Sequence, residues 1–342
     1  MKKALAVLFT LVMLISTMTA MTLSSSADTL QSGTLGTLSW ELNTTTGELT
    51  ITGEGTMDDV PYPSAWKYHT SAIKSVTIGD GITSIAKEAF FCCTGLESVT
   101  IGKDVTFIGD SAFEGCAVKN VTIPEGVTSI GSSVFNSCYR LESITLPEGV
   151  TSIGNFAFSY CTSLTSITIP SSVTTIGDGA FASCRNIESI TIPEGVTSLE
   201  SQVFSGCEKL IQKEDYVHYV DNWVIASDKL AINVSLREGT VGIAKDAFSR
   251  REDLESVTIP NSVKIIGESA FENCPRLTKM VYCGTEEEWN AVSKGSDWNN
   301  GVSADIQFDK KFFGCSSSAS GVLFIVPMLG AAAFMIRKKK KQ

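Results

Sequence analysis

Ten cysteines and two histidines are the side chains among these 342 residues with the most chemistry to offer. Seven of the cysteines are Cys93, Cys116, Cys138, Cys161, Cys184, Cys207 and Cys274, and the first six recur at intervals of 22 or 23 residues. No CxxC pair or Cys–His cluster is present, so this spacing does not point to a zinc site. Cysteines of an exported chain ordinarily pair. If each period is one turn of a coil, neighbours in the column stand about 5 Å apart, within disulfide reach, so distance alone leaves pairing open. The reading taken is that they are reduced and structural, small buried hydrophobes filling one recurring space. Cys92 and Cys283 fall off the column, and Cys315 lies near the end. His218 and Asp221 could form a hydrogen-bonded pair, the beginning of acid–base machinery. No GxSxG elbow, glycine-rich phosphate loop or paired-carboxylate motif accompanies them. Two histidines also leave little room for a multi-histidine metal site. No catalytic residue, cofactor or metal ligand is assigned.

Binding chemistry has better candidates. Tyr216, His218, Tyr219 and Trp223 interrupt an otherwise regular pattern, and exposed aromatic residues are typical anchors. If they are anchors, replacing Tyr219 and Trp223 with alanine should weaken ligand capture and spare thermal stability. Thr145, Thr168 and Thr191 form a second candidate surface. With Ser143, Ser166 and Ser189 they would line a strand face with hydroxyl groups, although threonine also suits any half-exposed strand.

These residues are positioned by a repeat. From Ile73 the chain returns to itself every 23 residues, as in LESITLPEGVTSIGNFAFSYCTS (141–163), LTSITIPSSVTTIGDGAFASCRN (164–186) and IESITIPEGVTSLESQVFSGCEK (187–209). Other units begin at Ile73, Leu96, Val118, Ala231 and Leu254, the Leu96 unit being one residue short. A period in the twenties signals a solenoid whose units cannot bury their apolar face alone. Columns 4 and 6 are aliphatic with threonine usually between them, the alternation of a short strand. Pro-Glu-Gly turns follow at 124–126, 147–149 and 193–195. Columns 10 and 13 return to the core, and Ala-Phe-x-x-Cys is read as a short helix-like arm closing each coil. Phenylalanine holds column 18 in all eight units, from Phe90 to Phe271, which predicts an internal ladder. Nine or ten coils would make a parallel sheet about 40–50 Å long.

The columns L-x-x-[VI]-T-[IL]-P-x-x-V-x-x-I-G-x-x-A-F-x-x-C resemble the leucine-rich repeats of the bacterial BspA-like surface protein family, over residues 73–282. The resemblance implies an α+β leucine-rich repeat solenoid. It further implies adhesion or binding of an extracellular protein or glycan at the cell surface. Residues 210–230 replace a repeat; similar proteins place a β-hairpin there, with Asp221-Asn222 as its turn. The following unit departs at Ala231, Thr240 and Arg251, where leucine, valine and cysteine are the usual residues.

The flanks read as caps, 28–72 β-rich and 283–308 carrying a short helix. Leu38 to Leu42 and Glu48 to Thr52 form a hairpin around Asn43 to Gly47. Ser64 would cap a helical turn before Trp66 and Tyr68. Thr285 to Glu288 form a capping box that opens a helix with Trp289, and Ala304 to Phe308 a closing strand. At the ends, Lys2-Lys3, the apolar Ala4 to Ile15 and Ser25-Ser26-Ala27 describe a signal peptide over 1–27. After a linker over 309–318, residues 319–336 are apolar or small, about 27 Å as a helix, and read as a transmembrane anchor. The basic tail 337–342 would stay cytoplasmic, which puts the intervening chain outside, membrane-anchored at the cell surface.

The formal charge of −10 conceals how the signs are distributed. The two termini take seven of the 27 basic residues and no acid. That leaves 20 basic and 37 acidic residues in the middle, a balance of −17. Such a surface repels phosphate backbones and argues against nucleic-acid binding. Two other functions compete with adhesion: a spacer in the envelope, and a hydrolase hidden in the caps or hairpin whose activity would depend on His218.

Overall fold

The computed structural model describes residues 30–57 and 66–309. Signal peptide, Ser64, anchor and basic tail all lie outside the described residues.

The chain winds into about eleven turns of a coil with three layers: two ladders of short parallel strands and a layer of arms. The first ladder holds columns 3 to 6, as in Ser75–Ile78, Ser98–Ile101 and Ser143–Thr145. In-register pairs such as Val76↔Val99 and Ile144↔Val121 fix it. The second holds columns 12 and 13, two-residue strands such as Ser152–Ile153 and Thr175–Ile176. Two residues per turn are too few for alternation to show in the sequence, which is why this second ladder goes unpredicted.

The arms are not helices, and the described residues are nearly all strand and turn rather than α+β. In each arm, columns 16 and 20 take positive φ: 55° at Phe156 and 58° at Tyr160, 56° at Gly179 and 60° at Ser183. A left-handed residue every fourth position prevents an α-helix from propagating. It also swings the N–H groups of columns 16, 18 and 20 out of the arm and toward the next coil. There they donate to carbonyls at columns 15, 17 and 19: Gly179 to Ser201 at 2.9 Å, Phe181 to Val203 at 2.9 Å and Ser183 to Ser205 at 2.6 Å. The arms thus form a third hydrogen-bonded ladder. Among the described residues one α-helix occurs, Glu286–Ala291, opened by the capping box of Thr285 and Glu288. No helix among them is long and apolar enough to cross a membrane.

The core repeats because the coil repeats. All eight column-18 phenylalanines are buried, and the rings from Phe90 to Phe204 stack at centroid spacings of 5.3–5.7 Å, nearly parallel. Tryptophan closes both ends. Trp66 stacks on Phe90 at 5.4 Å and donates its indole N–H to Ala89 O. Trp298 meets Phe271 edge-on at 6.2 Å. The cap hairpin Leu38–Asn43 with Glu48–Gly53 adds a third strand, Leu30–Leu35, and joins the first ladder through Leu49↔Val76. Strand Asp305–Phe308 pairs with Lys279–Cys283 at the other end.

The column cysteines are free thiols. Each Sγ–H from Cys116 to Cys207 donates to the phenylalanine carbonyl of the preceding arm at 3.0–3.2 Å, as Cys161 does to Phe135 and Cys184 to Phe158. Cysteine suits the column because it fills an apolar space and still carries a weak donor. Burial pushes the Cys93, Cys138 and Cys207 thiols up to about 12, and Cys116 and Cys161 well above the usual thiol range. They are protonated and unreactive at neutral pH. Among the described residues, Cys92 alone of the eight free cysteines is exposed, and Cys283 is disulfide-bonded.

Candidate binding cleft at the interrupted coil

The regular stack stops after Cys207. Strand Gln212–Glu214 turns through Asp215 and Tyr216, both at positive φ, into Val217–Val220, and Asp221-Asn222 turns that strand into Trp223–Ser227. The insert is therefore a three-stranded meander. It supplies strands and loop but no A-F-x-x-C arm. The ring stack ends at Phe204 and restarts with Phe248 on Phe271 at 4.9 Å, and the core divides into two clusters at this point.

The missing arm leaves a cleft of about 520 Å³. One wall is the preceding arm, Gln202 to Gly206, and the other is Lys245 to Ala247 with Arg251. Ile211, Ile225, Ala226 and His218 form the floor. The mouth is tied at one corner by Lys245 N–H donating to Leu199 O at 3.0 Å. Lys245 Nζ lies 3.3 Å from Glu200 and 3.4 Å from Glu268, and Ser201 Oγ donates to Asp246 Oδ2. Burial draws the Lys245 ammonium down, but its two carboxylate partners outweigh that and hold it above its ordinary value.

Arg251 explains a departure visible in the sequence. It stands where other coils have cysteine, but no phenylalanine carbonyl lies behind it. Its longer side chain crosses the vacancy instead. Nε donates to Ser227 Oγ at 2.9 Å and a terminal nitrogen donates to Ser227 O at 2.7 Å. Ser227 Oγ donates in turn to Ala247 O at 3.0 Å. Thr240, where valine is usual, is fully buried with its hydroxyl bonded to Arg237 O at 2.7 Å.

The residues singled out from sequence separate. Tyr219 and Trp223 are buried, at 1% and 3% exposure, which corrects their assignment as exposed anchors. Tyr219 lies under the Arg237 guanidinium at 4.4 Å with its hydroxyl accepting from Arg237 N–H. Trp223 fills the space beside Gly242, where an added Cβ would come within 2.5 Å of its ring. Both belong to the packing of the insert. Tyr216 is exposed, in the turn. His218 does not pair with Asp221, whose Oδ2 instead accepts from Ile192 N–H at 2.9 Å. Its Nε2 lies 3.0 Å from Asp228 Oδ1, but off the N–H axis, and has no aligned hydrogen bond. Burial lowers the imidazole's pKa; Asp228 opposes that, and Lys213 and Arg251 add to it. Thr145, Thr168 and Thr191 are exposed along the first ladder. There the pairing thins to one bridge, Ser166↔Ser189, beside a shallow depression of about 220 Å³.

Sequence reasoning missed Lys213, Ser227, Lys245 and the wall 202–206 because they converge only across the vacant arm. It also missed exposed aromatic residues among the regular arms: Tyr139, Phe156 and Tyr160, at 57%, 47% and 50% exposure. Phe156 and Tyr160 occupy the positive-φ columns 16 and 20, so they point away from the core that aromatic residues usually join.

The repeat matches the family described as BspA type leucine rich repeat region, in overlapping matches over residues 63–187, 130–214 and 174–290. The chain belongs to this family. Among solved structures, it is 26% identical to a leucine-rich repeat protein from Eubacterium ventriosum, covering 82% of this chain and 73% of that one with a TM-score of 0.49. A leucine-rich repeat protein from Bacteroides ovatus is 25% identical, with 83% and 80% coverage and a TM-score of 0.44. A leucine rich cell surface protein from Faecalibacterium prausnitzii is 27% identical, with 78% and 99% coverage and a TM-score of 0.34. No curated protein matches the chain.

Proposed function

We propose that this BspA-type protein is a non-enzymatic binding scaffold displayed at the cell surface, an adhesin or a receptor for an extracellular protein or glycan. The observation that carries the reading is the cleft at residues 200–251. A stack that elsewhere closes every coil with an arm omits one and lines the opening with both polar and apolar groups. Its volume falls in the range of binding pockets, and it sits where a rigid scaffold holds both walls. The acidic balance of the central chain steers partners of positive or neutral character toward it. The exposed threonine column and Tyr216 extend the available surface.

The test is to present the full chain to extracellular matrix proteins, mucins and arrayed glycans. Saturable binding to one of them is the expected result. Silence across all three would favour the envelope spacer. A hydrolase would be supported instead by turnover of any of these substrates that disappears in His218→Ala.

A further inference from the structure

The hydrogen bonds of the arm layer specify what the cleft lacks. In every regular coil, three N–H groups at columns 16, 18 and 20 donate to three carbonyls of the next arm. At the interruption, the N–H groups of Gln202, Phe204 and Gly206 have no acceptor among the described residues. Across the opening, the carbonyls of Lys245 and Ser249 receive no donor among them, and only Ala247 O is taken, by Ser227 Oγ. On the far side the pattern resumes, with Asp246 to Glu268, Phe248 to Ala270 and Arg250 to Glu272. The cleft therefore has a donor wall, an acceptor wall and a floor in which Ile211, Ile225 and Ala226 form an apolar patch beside His218.

We propose that the vacancy binds a short polypeptide segment of a partner protein, which completes the stack by taking the place of the missing arm. The inference rests on the binding-scaffold reading and gives the partner its chemistry. Peptide carbonyls accept from Gln202, Phe204 and Gly206, peptide N–H groups donate to Lys245 and Ser249, and one apolar side chain descends to the floor. A simple anion fits poorly. The donors are spread along a strip instead of converging, and the facing carbonyls would repel negative charge. A backbone strip that is donor on one side and acceptor on the other is the natural complement, as in the addition of a strand to a sheet edge. The repeat also sets the preferred sequence. Columns 16 and 20 are left-handed, so the bound segment should carry Gly, Asn, Asp or Ser two residues before and two residues after a central apolar residue.

The experiment uses the full chain and a synthetic peptide covering residues 178–186 with Cys184→Ser, which copies an arm of this protein. Residue-resolved hydrogen exchange is followed with and without the peptide. In the free chain, the amides of Gln202, Phe204 and Gly206 should exchange at least about 100-fold faster than those of Gly179, Phe181 and Ser183. Saturating peptide should slow the three by about tenfold or more, and Phe181→Ala in the peptide should weaken its binding about tenfold. Ala226→Phe in the protein should remove binding, with unchanged protection at residues 179, 181 and 183 showing that the stack is intact. Three results would overturn the proposal: equal protection of both sets in the free chain, peptide binding that leaves the three amides unmoved, or slowing of them by a glycan with none by the peptide. Saturable capture of a matrix protein or glycan with these amides unaffected would sink the peptide site and leave the scaffold reading standing. Absence of saturable capture of any kind would sink both.

Discussion

Residues 141–186 and 210–251 belong to one solenoid and have contrary architecture. In the first stretch, every coil repeats the same three ladders, and each buried group has its partner one period away. Phe158 has a ring above and below it, and Cys161 has a carbonyl to bond. In the second, one arm is absent, and each residue near the gap answers to a different neighbour. Phe248 has a ring on one side only among the described residues, and Arg251 spans a distance that a cysteine covers elsewhere. A repeat obtains stability from identity between turns. A site needs a place where that identity fails, because a fully paired stack offers a partner little to bond.

The largest test of this contrast is truncation of the ladder. Phe158→Ala should cost toward the upper end of the ~3–5 kcal/mol typical of buried phenylalanines, and Phe248→Ala toward the lower end. Urea unfolding of both variants checks this, and equal losses would mean that the gap does not weaken the ladder locally.

Arg251→Ala should cost about 1–3 kcal/mol, since it leaves the Ser227 carbonyl in the cleft without its charged donor. Arg251→Cys should not restore what is lost, because the consensus residue has no phenylalanine carbonyl to reach. Recovery of wild-type stability by the cysteine would show that the vacancy is smaller than described.

A third comparison sets buried against exposed thiols. Iodoacetamide on the native chain should label Cys92 and spare the column, whose thiols burial holds at about 12 for Cys93, Cys138 and Cys207. Mass spectrometry of the unreduced protein reads the same question from the other side: pairwise links within the column would end the account of them as thiol donors.

The smallest expected effect concerns His218. Its pKa is lowered in the fold, so the folded state binds a proton less readily than the unfolded one. That penalty is absent well above the ordinary histidine value of about 6.5 and grows as pH falls through it. Wild type should therefore lose more thermal stability than His218→Gln between pH 7 and pH 5, as melting curves would show; parallel losses would place the imidazole in solvent.

The regular half of the molecule was legible because stacking demands the same residue at the same column, and a column is visible in one sequence. Phe90 to Phe271 and Cys93 to Cys274 declared themselves core in this way. The arm conformation was only half legible. Gly115, Gly179, Gly206, Asp246 and Asn273 at columns 16 and 20 signal left-handed backbone, but Phe156, Tyr160 and Glu88 share those columns and mask it. Around the insert the logic fails. Tyr219 and Trp223 looked exposed because they broke the pattern, yet Gly242 and Arg237, distant in sequence, provide the surfaces that bury them. The cleft itself has no motif, since its walls are ordinary repeat residues and its defining property is an arm that is not there.

The direction of the arm bonds has an electrostatic consequence. Strand ladders largely cancel their peptide dipoles, whereas in the arms every inter-coil N–H points toward the C-terminal end of the stack. The dipoles add, as they do along a helix, and their sum emerges wherever the series is cut. Gln202, Phe204 and Gly206 are such a cut end, so the interruption holds a fixed positive partial charge against a carbonyl wall of opposite sign. The coil is in this sense polarised, and the gap after Gly206 is a place where that polarity meets the outside.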